Sequence, residues 1–339
     1  MPQKRIGFCC KWIDRPDQVN NIKSTDAAKA LNTSTTTVRW LNEHRDQAED
    51  RLWSLAKHNI EAARRLVERV GSLDEQLRMV RLGSDLLPVF TEPTWRHFWQ
   101  QPDVRHYAER AFMEVGELAR GLDVRLSFHP GQFVVLASDN PDIIDRSIDE
   151  FEYHATMAAW MGYGQKFQDL KINVHISGRA GPEGIRRVLS RLSPEARNCI
   201  TIENEEMKHG LDDCLSIGDV VPIVLDLHHH WVREGEYISP ADDRVQRVLD
   251  SWRGRRPTCH FSTSREDLLL DHCADTRPDM SLLLSQGYKK SKLRAHSDFY
   301  WNTAVNDWAL SFRDNFDIMC ESKAKNLASF ALYEHANTI

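Results

Sequence analysis

The chain has 339 residues, of which 41% are hydrophobic and 28% charged, so it has apolar material for a large core and is not disordered. Its formal net charge of −6 argues against a function based on bulk attraction to nucleic acid, although a local basic groove remains compatible with it. No apolar run approaches about 18 residues, and the N-terminus leads directly into a strand pattern. These features exclude a membrane span and a signal peptide and predict a cytoplasmic protein.

Short apolar and β-branched runs alternate with longer amphipathic stretches, the pattern of parallel strands joined by crossover helices. The predicted strands are Arg5–Cys9, Arg78–Leu82, Val124–Phe128, Lys171–His175, Cys199–Glu203, Ile223–Asp226, Thr258–Ser262 and Asp317–Glu321. The predicted helices are Asp50–Val70, Val104–Leu122, Ile143–Met161, Gly184–Leu192, Ala241–Trp252 and a last one from Ser322 to about Glu334. Eight alternations predict an α/β fold, a (β/α)8 TIM barrel that spans residues 1–339 as a single domain.

Two connections are much longer than the roughly 2–6 residues of an ordinary loop in this fold. The stretch Lys11–Asp50 follows the first predicted strand, and the stretch Thr263–Phe316 lies between the seventh and the eighth. Long loops on a βα barrel commonly bind substrate. Both insertions are therefore predicted to be substrate loops, with a partner-binding surface as the alternative.

Each predicted strand from the third to the eighth ends in a side chain that can bind a divalent metal, at the barrel face where active sites of this fold lie. One histidine at a strand end is more often a structural residue, but six successive strand ends are not explained in that way. The candidate ligands are His129, His175, Glu203, Asp226, His229, His260 and Glu321, together with His296 from the second insertion.

Imidazole and carboxylate ligands suit zinc, manganese or iron, and the absence of thiolates among them disfavours a structural zinc site. Eight ligands exceed the need of one ion and indicate two or three, with Glu203 as the natural bridging carboxylate. Such clusters stabilise the attacking and leaving oxygens of a phosphoester displacement. The residues by themselves therefore predict a metal-dependent nuclease or phosphatase.

The second insertion contains a basic and aromatic run around His296. Its cations can neutralise phosphates and its rings can stack on bases, as a nucleic-acid groove requires. A solvated basic loop with its rings in the core is the alternative, and the position of His296 inside the run favours DNA. The residues of the run are Lys289, Lys290, Lys292 and Arg294, with Tyr288, Phe299, Tyr300 and Trp301.

Five short motifs stand in the order in which they occur in one known family. They are SFHPGQF at 127–133, NVHISG at 173–178, ENEE at 203–206, DLHH at 226–229 and ESKAK at 321–325. With these motifs the chain resembles the UV damage endonucleases, which belong to the xylose-isomerase-like barrel superfamily. The resemblance extends from RIGF at 5–8 to the last helix and covers nearly the whole barrel.

The resemblance implies a DNA repair endonuclease that hydrolyses the phosphodiester immediately 5′ of a UV photoproduct, or of another helix-distorting lesion, leaving a 3′-hydroxyl and a 5′-phosphate. All eight candidate ligands fall on metal ligands of the family, and Glu203, His260 and Glu321 are expected to be catalytic. Two or three manganese ions are the expected cofactor, with zinc, cobalt or magnesium as alternatives. The expected partner is damaged double-stranded DNA, bound by a monomer in the cytoplasm, at the nucleoid if the source is prokaryotic.

In this family a His-Pro-Gly-Gln-aromatic loop enters the distorted duplex, so Gln132 and Phe133 are expected to contact the lesion. Phe8 stands where the family often has a tyrosine near the lesion, and its ring is expected to wedge bases apart. A lesion that already weakens stacking lowers the cost of extruding nucleotides, which is normally about a few kcal/mol per base.

One position departs from the family pattern. The family commonly has a lysine two residues before the histidine of the seventh strand, where carboxylation converts it into a metal ligand, and Thr258 occupies that position here. A threonine cannot form this ligand. We therefore expect a weaker third metal site, or one completed by Asp298, two residues after His296.

Several neighbours of these residues are interpreted as secondary. His228 and His230 flank His229 and, on alternating strand geometry, are expected to point away from the site. Lys323 and Lys325 follow the last ligand and are expected either to contact phosphate or to lie on a surface helix.

Two other enzymes use a similar ligand set on this barrel. An abasic-site endonuclease would apply it to a different lesion, and the loop with Gln132 and Phe133 favours UV lesions over it. A metal-dependent sugar isomerase would need a small polyol pocket, which neither the basic insertion nor the number of ligands favours. A binding module without catalysis is a third alternative, against which the complete ligand set argues.

Overall fold

The computed structural model describes residues 3–19 and 25–338. Its parallel strands pair in chain order from β1 to β6, β1 also pairs with β8, and β8 pairs with β7. A single backbone bridge between Asp226 and His260 then closes the barrel. The strands are β1 (Ile6–Cys9), β2 (Met79–Arg81), β3 (Arg125–Phe128), β4 (Lys171–His175), β5 (Ile200–Glu203), β6 (Ile223–Val224), β7 (Thr258–Phe261) and β8 (Asp317–Cys320). The predicted (β/α)8 barrel is confirmed, and each strand lies within two residues of its predicted bounds.

Helices cover the outside of the barrel. In the described residues they are α1 (Asp26–Lys29), α2 (Val38–Glu43), α3 (Ala48–Gly71), α4 (Arg96–Trp99), α5 (Pro102–Gly121), α6 (Pro141–Trp160), α7 (Gly181–Leu189), α8 (Pro194–Cys199), α9 (Leu211–Leu215), α10 (Leu227–Glu234), α11 (Asp243–Ser251), α12 (Met280–Ser285), α13 (Lys290–Leu293), α14 (Thr303–Leu310) and α15 (Asn326–Ala336). The predicted helices correspond to α3, α5, α6, α7, α11 and α15. Among the described helices, none is both long and apolar enough to cross a bilayer.

Local chemistry explains where these helices begin. The side chain of Asn140 accepts a hydrogen bond from the N–H of Asp142 at 2.9 Å, and Pro141 in the first turn lacks a donor that the helix could not satisfy, so α6 begins there. The last helix begins at Asn326, four residues later than predicted. Lys325 has a φ of 52°, in the left-handed region, and cannot be part of a right-handed helix.

The histidine triplet lies on a helix, which corrects the prediction of a strand. The carboxylate of Asp226 accepts a hydrogen bond from the N–H of His229 at 2.6 Å and caps α10. Successive side chains of a helix point about 100° apart, so the three rings separate. His228 faces a small apolar cavity beside Trp231, and Nε2 of His230 lies 3.4 Å from Glu236.

Both insertions are folded against the barrel. The first contains α1 and α2, and the second contains α12, α13 and α14. The second has an apolar cluster of its own beside the main core, formed by Trp231, Val232, Leu269, Met280, Leu283 and Leu293. That the chain is a single domain stays a prediction.

Candidate metal centre

Glu203, the last residue of β5, is fully buried at the mouth of the barrel. Its Oε1 lies 3.0 Å from Nδ1 of His260, and its Oε2 lies 3.1 Å from Nε2 of His129. The side-chain amide of Asn173 donates a further hydrogen bond to Oε2. The two oxygens thus face ring nitrogens from different strands, the placement expected of a carboxylate shared between two ions.

The ligands predicted at neighbouring strand ends form three groups around Glu203. In each group the donor atoms lie within 4.8 Å of one another, so one cation could contact them all. Oδ2 of Asp226 is buried and has no hydrogen-bond partner among the described residues, which leaves an acceptor that a cation would satisfy. The donor set therefore fits divalent metal. The groups are His129, His175 and Glu203; His129, His260 and Glu321; and Glu203, Asp226, His260 and Glu321.

His229 and His296 complete the set from outside the strands. Nδ1 of His229 lies 3.6 Å from Glu203 Oε1 and 3.7 Å from Asp226 Oδ2. The ring of His296, which the second insertion contributes, has its centroid 6.3 Å from that of His229. The structure therefore brings all eight predicted ligands to one end of the barrel.

The buried carboxyl groups of the centre differ in charge. Burial opposes ionisation of Glu203, but His260 and its neighbours hold the pKa of Glu203 well below its ordinary value. Burial opposes ionisation of Glu321 as well, and the buried guanidinium of Arg81, which contacts its carboxylate, keeps that pKa well below the ordinary value. At Asp226 burial dominates and raises the pKa well above the ordinary value. A cation bound beside Asp226 would therefore favour its ionised form.

Three histidines of the centre, His175, His260 and His296, have lowered pKa values that favour the neutral ring. Burial lowers the pKa of His175 and of His260 to about 4 each, and it lowers the pKa of His296 too. A neutral imidazole has a nitrogen lone pair free for a metal. His229 differs, because burial is outweighed by nearby carboxylates, Asp226 above all, which raise its pKa to about 9. A metal that binds His229 must displace a proton from its ring.

Lys171 is a buried amine beside this centre that the sequence analysis missed. It begins β4, and its Nζ lies 2.7 Å from Nε2 of His260. Burial lowers the pKa of Lys171 to about 7. The period-two alternation that puts Lys171, Asn173 and His175 on the interior face of β4 was the signal that could have located it. A lysine amine thus lies beside the ring of His260, although Thr258 occupies the position where the family has its lysine.

Asp298 has a different environment from the one predicted. Its carboxylate lies 3.2 Å from Nζ of Lys323, and its N–H donates to the carboxylate of Glu266 at 3.1 Å. None of the three ligand groups found among the described residues includes it. This ion pair does not favour Asp298 as the substitute ligand, and that role stays a prediction.

A cleft of about 770 Å³ opens above the centre. Gln132 lies on one wall, and Lys292 and Arg294 lie on the wall formed by the second insertion. Nη1 of Arg294 is 2.9 Å from the carboxylate of Glu206. Phe133, next to Gln132, is 68% exposed, which is unusual for a phenylalanine. The cleft therefore combines candidate metal ligands with cations, and an exposed ring follows its lining residue Gln132.

Two rings predicted to contact DNA lie in the core instead. Phe8 is 1% exposed and packs edge-on against Trp12, with the ring centroids 5.9 Å apart. Tyr300 is 8% exposed, stacks on Phe261 and donates its hydroxyl proton to the carbonyl oxygen of that residue at 3.0 Å. Their placement corrects the prediction, because enclosed rings cannot stack on bases in this conformation.

Other members of the basic and aromatic run are divided between the surface and internal contacts. Nε1 of Trp301 donates to the carbonyl oxygen of Ser264 at 2.9 Å, and Nζ of Lys290 donates to the carbonyl oxygen of Arg233. Lys289 is exposed at the start of α13. Of the four predicted cations, Lys292 and Arg294 are the two that line the cleft.

Comparison with known proteins identifies the family. The family model described as UV-endonuclease UvdE matches residues 5–339. The chain belongs to this family. Membership makes the protein an endonuclease of DNA repair. The UV DNA damage endonuclease of Bacillus cereus (strain B4264) is 24% identical over 326 residues, which cover 93% of this chain and 91% of the relative. That of Bacillus thuringiensis subsp. konkukian (strain 97-27) is 24% identical over 307 residues, which cover 87% and 86%.

Solved structures agree with the fold. The crystal structure of SacUVDE matches with a TM-score of 0.72 at 21% identity and covers 98% of both chains. Endonuclease IV from Thermus thermophilus matches with a TM-score of 0.53 at 14% identity, over 81% of this chain and 93% of that one. Both comparisons confirm the barrel on which the candidate site lies.

Proposed function

We propose that this endonuclease cuts one strand of double-stranded DNA immediately 5′ of a UV photoproduct, using two or three divalent metal ions. The observation that carries the proposal is the cleft lined by His175, His229, His296 and Glu321 of the candidate centre, together with Lys292, Arg294 and Gln132, which precedes the exposed Phe133. A phosphodiester can approach the base of the cleft while the exposed ring meets the bases. The relatives named UV DNA damage endonuclease support the choice of lesion.

Manganese is the proposed ion, because mixed imidazole and carboxylate donors without thiolate suit it, and zinc, cobalt or magnesium are the alternatives. When bound, such ions stabilise charge on the oxygens of the phosphate that is attacked and of the group that leaves. Glu203 directs one carboxylate oxygen towards His260 and the other towards His129. The residues that would hold the ions are His129, His175, Glu203, Asp226, His229, His260, His296 and Glu321.

The chain's own side chains select and orient the substrate. Lys292 and Arg294 neutralise backbone phosphates at one wall, and the ion pair with Glu206 holds the guanidinium at the rim. Phe133 and Gln132 enter the duplex at the lesion from the opposite wall, where weakened stacking makes entry cheaper than in intact DNA. Damage is thus recognised as deformability and needs no reading of base edges. The monomeric state and the cytoplasmic location stay predictions.

Defined oligonucleotides test the proposal. Duplexes with a cyclobutane dimer, a 6-4 photoproduct, an abasic site or no lesion are incubated with protein and Mn²⁺. We expect a nick immediately 5′ of the photoproducts, with 3′-hydroxyl and 5′-phosphate ends. Equal cutting of the undamaged duplex would contradict the proposal, and so would cutting at the abasic site alone.

A pair of variants locates the activity. His260→Ala removes a ring that contacts Glu203 and should abolish nicking. His106→Ala is the matched control, because His106 is exposed on α5. Wild-type activity in the His260 variant would show that the reaction does not take place at this centre.

A further inference from the structure

A second cavity, of about 420 Å³, lies beside the metal centre, where the neighbouring strands β1 and β8 end. Four lysines line it, and the described lining residues include no carboxylate. Lys11 follows β1 by two residues, Lys29 lies on α1, and Lys323 and Lys325 follow Glu321. Segments from opposite ends of the chain thus bring four cations to one cavity, which we call the lysine pocket.

Two asparagine side chains fix the wall of the lysine pocket. Asn32 accepts from the N–H of Trp12 at 2.7 Å and donates to its carbonyl oxygen at 2.9 Å. Asn326 accepts from the N–H of Ile13 at 2.7 Å and donates to its carbonyl oxygen at 2.9 Å. Each amide pairs with the backbone as a neighbouring strand would. The segment after Lys11 is therefore attached both to the first insertion and to the start of α15, so the pocket is preorganised.

The charges of the lysine pocket are only partly balanced. Lys29 lies 2.9 Å from Asp26, and Lys323 lies 3.2 Å from Asp298. In the part of the chain that the structure describes, no carboxylate forms an ion pair with Lys11 or Lys325. Like charges at one cavity repel one another, and a bound anion relieves that repulsion. The pocket is positive in a protein whose net charge is −6, so its attraction for anions is local.

The position of the lysine pocket next to the cleft indicates which anion it would meet. Glu321 lines the cleft, while Lys323, two residues later on the same loop, lines the lysine pocket. The pocket therefore lies on the barrel face that holds the metal centre. It is next to the cleft, on the side of β8 that faces β1. A duplex whose scissile phosphodiester reaches Glu203 has further phosphates along its strands, one charge for about every 1.7 Å of helix axis.

We propose that the lysine pocket binds a backbone phosphate of the DNA, to one side of the scissile phosphodiester. The proposal rests on the proposed function, since it takes DNA as the substrate. It assigns the first insertion a role in substrate binding through Lys11 and Lys29, and it extends the contact with DNA beyond the cleft. Because only phosphates are contacted, the pocket binds damaged and undamaged duplex alike.

A salt titration tests the lysine pocket. The pocket variant, Lys11→Ala/Lys325→Ala, is compared with a control variant, Lys4→Ala/Lys166→Ala. The control removes the same charge from the opposite end of the barrel, where Lys4 precedes β1 and Lys166 precedes β4. Binding of undamaged duplex is measured in EDTA over a range of salt concentrations. For the pocket variant, the slope of log K against log salt should fall by about one, the value for one lost phosphate contact, and the affinity at about 0.15 M salt should fall by roughly fivefold. The control should match the parent, and circular dichroism verifies the fold of both.

Three results would overturn the proposal. One is an unchanged slope in the pocket variant. Another is a loss equal to that of the control. The third has two parts: inorganic phosphate binds the parent and not the pocket variant, and the two proteins show equal salt slopes with the duplex. That result would make the pocket a site for free phosphate. Nicking of the photoproduct duplex by the parent is measured separately. Failure there with an intact salt effect contradicts the proposed function but not the phosphate site.

Discussion

Both ends of the barrel bury carboxylates, but they surround them differently. At the amino end, Asp317 accepts from Arg125 at 2.5 Å, from Arg256 at 2.6 Å and from the N–H of Arg5 at 2.9 Å. At the carboxyl end, Glu203 faces histidine rings, and one oxygen of Asp226 has no partner among the described residues. The first arrangement is complete in the protein alone, whereas the second leaves a buried carboxylate oxygen that a bound cation would satisfy.

The difference lies in what the partners can do. A guanidinium donates up to five hydrogen bonds, is always charged and has no lone pair for a metal. A buried neutral imidazole offers a lone pair and no charge. Arginine at the amino end therefore indicates stability, and histidine at the carboxyl end indicates chemistry. Four predictions test this contrast, in order of decreasing effect.

Glu203→Gln should nearly abolish nicking and leave the fold intact. The substitution keeps the shape of the side chain and removes the charge, so we expect a loss of at least about a thousand-fold, equivalent to roughly 4 kcal/mol. Single-turnover nicking of a photoproduct duplex measures it, with Glu183→Gln on the surface of α7 as the control. A loss below about tenfold would remove Glu203 from the reaction.

Asp317→Ala should have the opposite profile. It leaves the guanidinium groups of Arg125 and Arg256 without their shared partner, and breaking a buried ion pair in this way costs about 3–5 kcal/mol. Urea unfolding measures the loss, and nicking per folded molecule should equal that of the parent. Full stability of this variant would contradict the structural role given to the amino end.

His154, buried on α6 against Phe128, the last residue of β3, should make stability depend on pH. Burial lowers its pKa from 6.5 to about 4, so between those values the unfolded chain binds the proton and the folded protein does not. Stability from this group is complete above about pH 6.5 and falls as the pH drops to about 4, by up to about 3 kcal/mol.

His154→Phe should flatten the dependence of stability on pH, because phenylalanine binds no proton. Its ring can keep the contacts with Phe128 and Tyr153, so the fold should be preserved. Unfolding midpoints of both proteins are measured in EDTA, which keeps metal binding out of the comparison. An equally steep slope in the variant would assign the acid sensitivity to other groups.

Asp298→Ala should have the smallest effect. Its carboxylate forms a partly exposed ion pair with Lys323, and such pairs contribute about 0–1 kcal/mol. Metal content per chain and the nicking rate should stay within about twofold of the parent. Loss of an ion from the variant would restore Asp298 as a ligand.

The strand-end ligands could be predicted because the barrel itself brings the carboxyl ends of its strands together. Once the strands were identified, Glu203 and His260 had to be close, and no further information was needed. The loop with Phe133 was identified by the resemblance to the family, and it lies near the centre because it follows a strand end directly. In each case the end of a strand determines where the residues that follow it lie in the barrel.

Other features depend on contacts between distant parts of the chain. The pairing of Lys171 with His260 joins β4 to β7 across the barrel; the alternation along β4 places Lys171 on the interior face but does not indicate which residue it contacts. Whether Phe8 contacts a base or packs edge-on against Trp12 is decided by how the first insertion folds back. Three successive histidines show no period, so the helix that contains them is identified only by the cap at Asp226.

The seam between β6 and β7 has a consequence for assembly of the protein. It is closed by one backbone bridge, and the bridge joins Asp226 to His260, two residues of the candidate metal centre. The N–H of His260 donates to the carbonyl oxygen of Leu225 at 3.0 Å in the same seam. An ion that draws these two side chains together would also hold the last pair of strands in register. Loading the centre and completing the circle of the barrel would then be one event, and a chain stripped of metal would open here first.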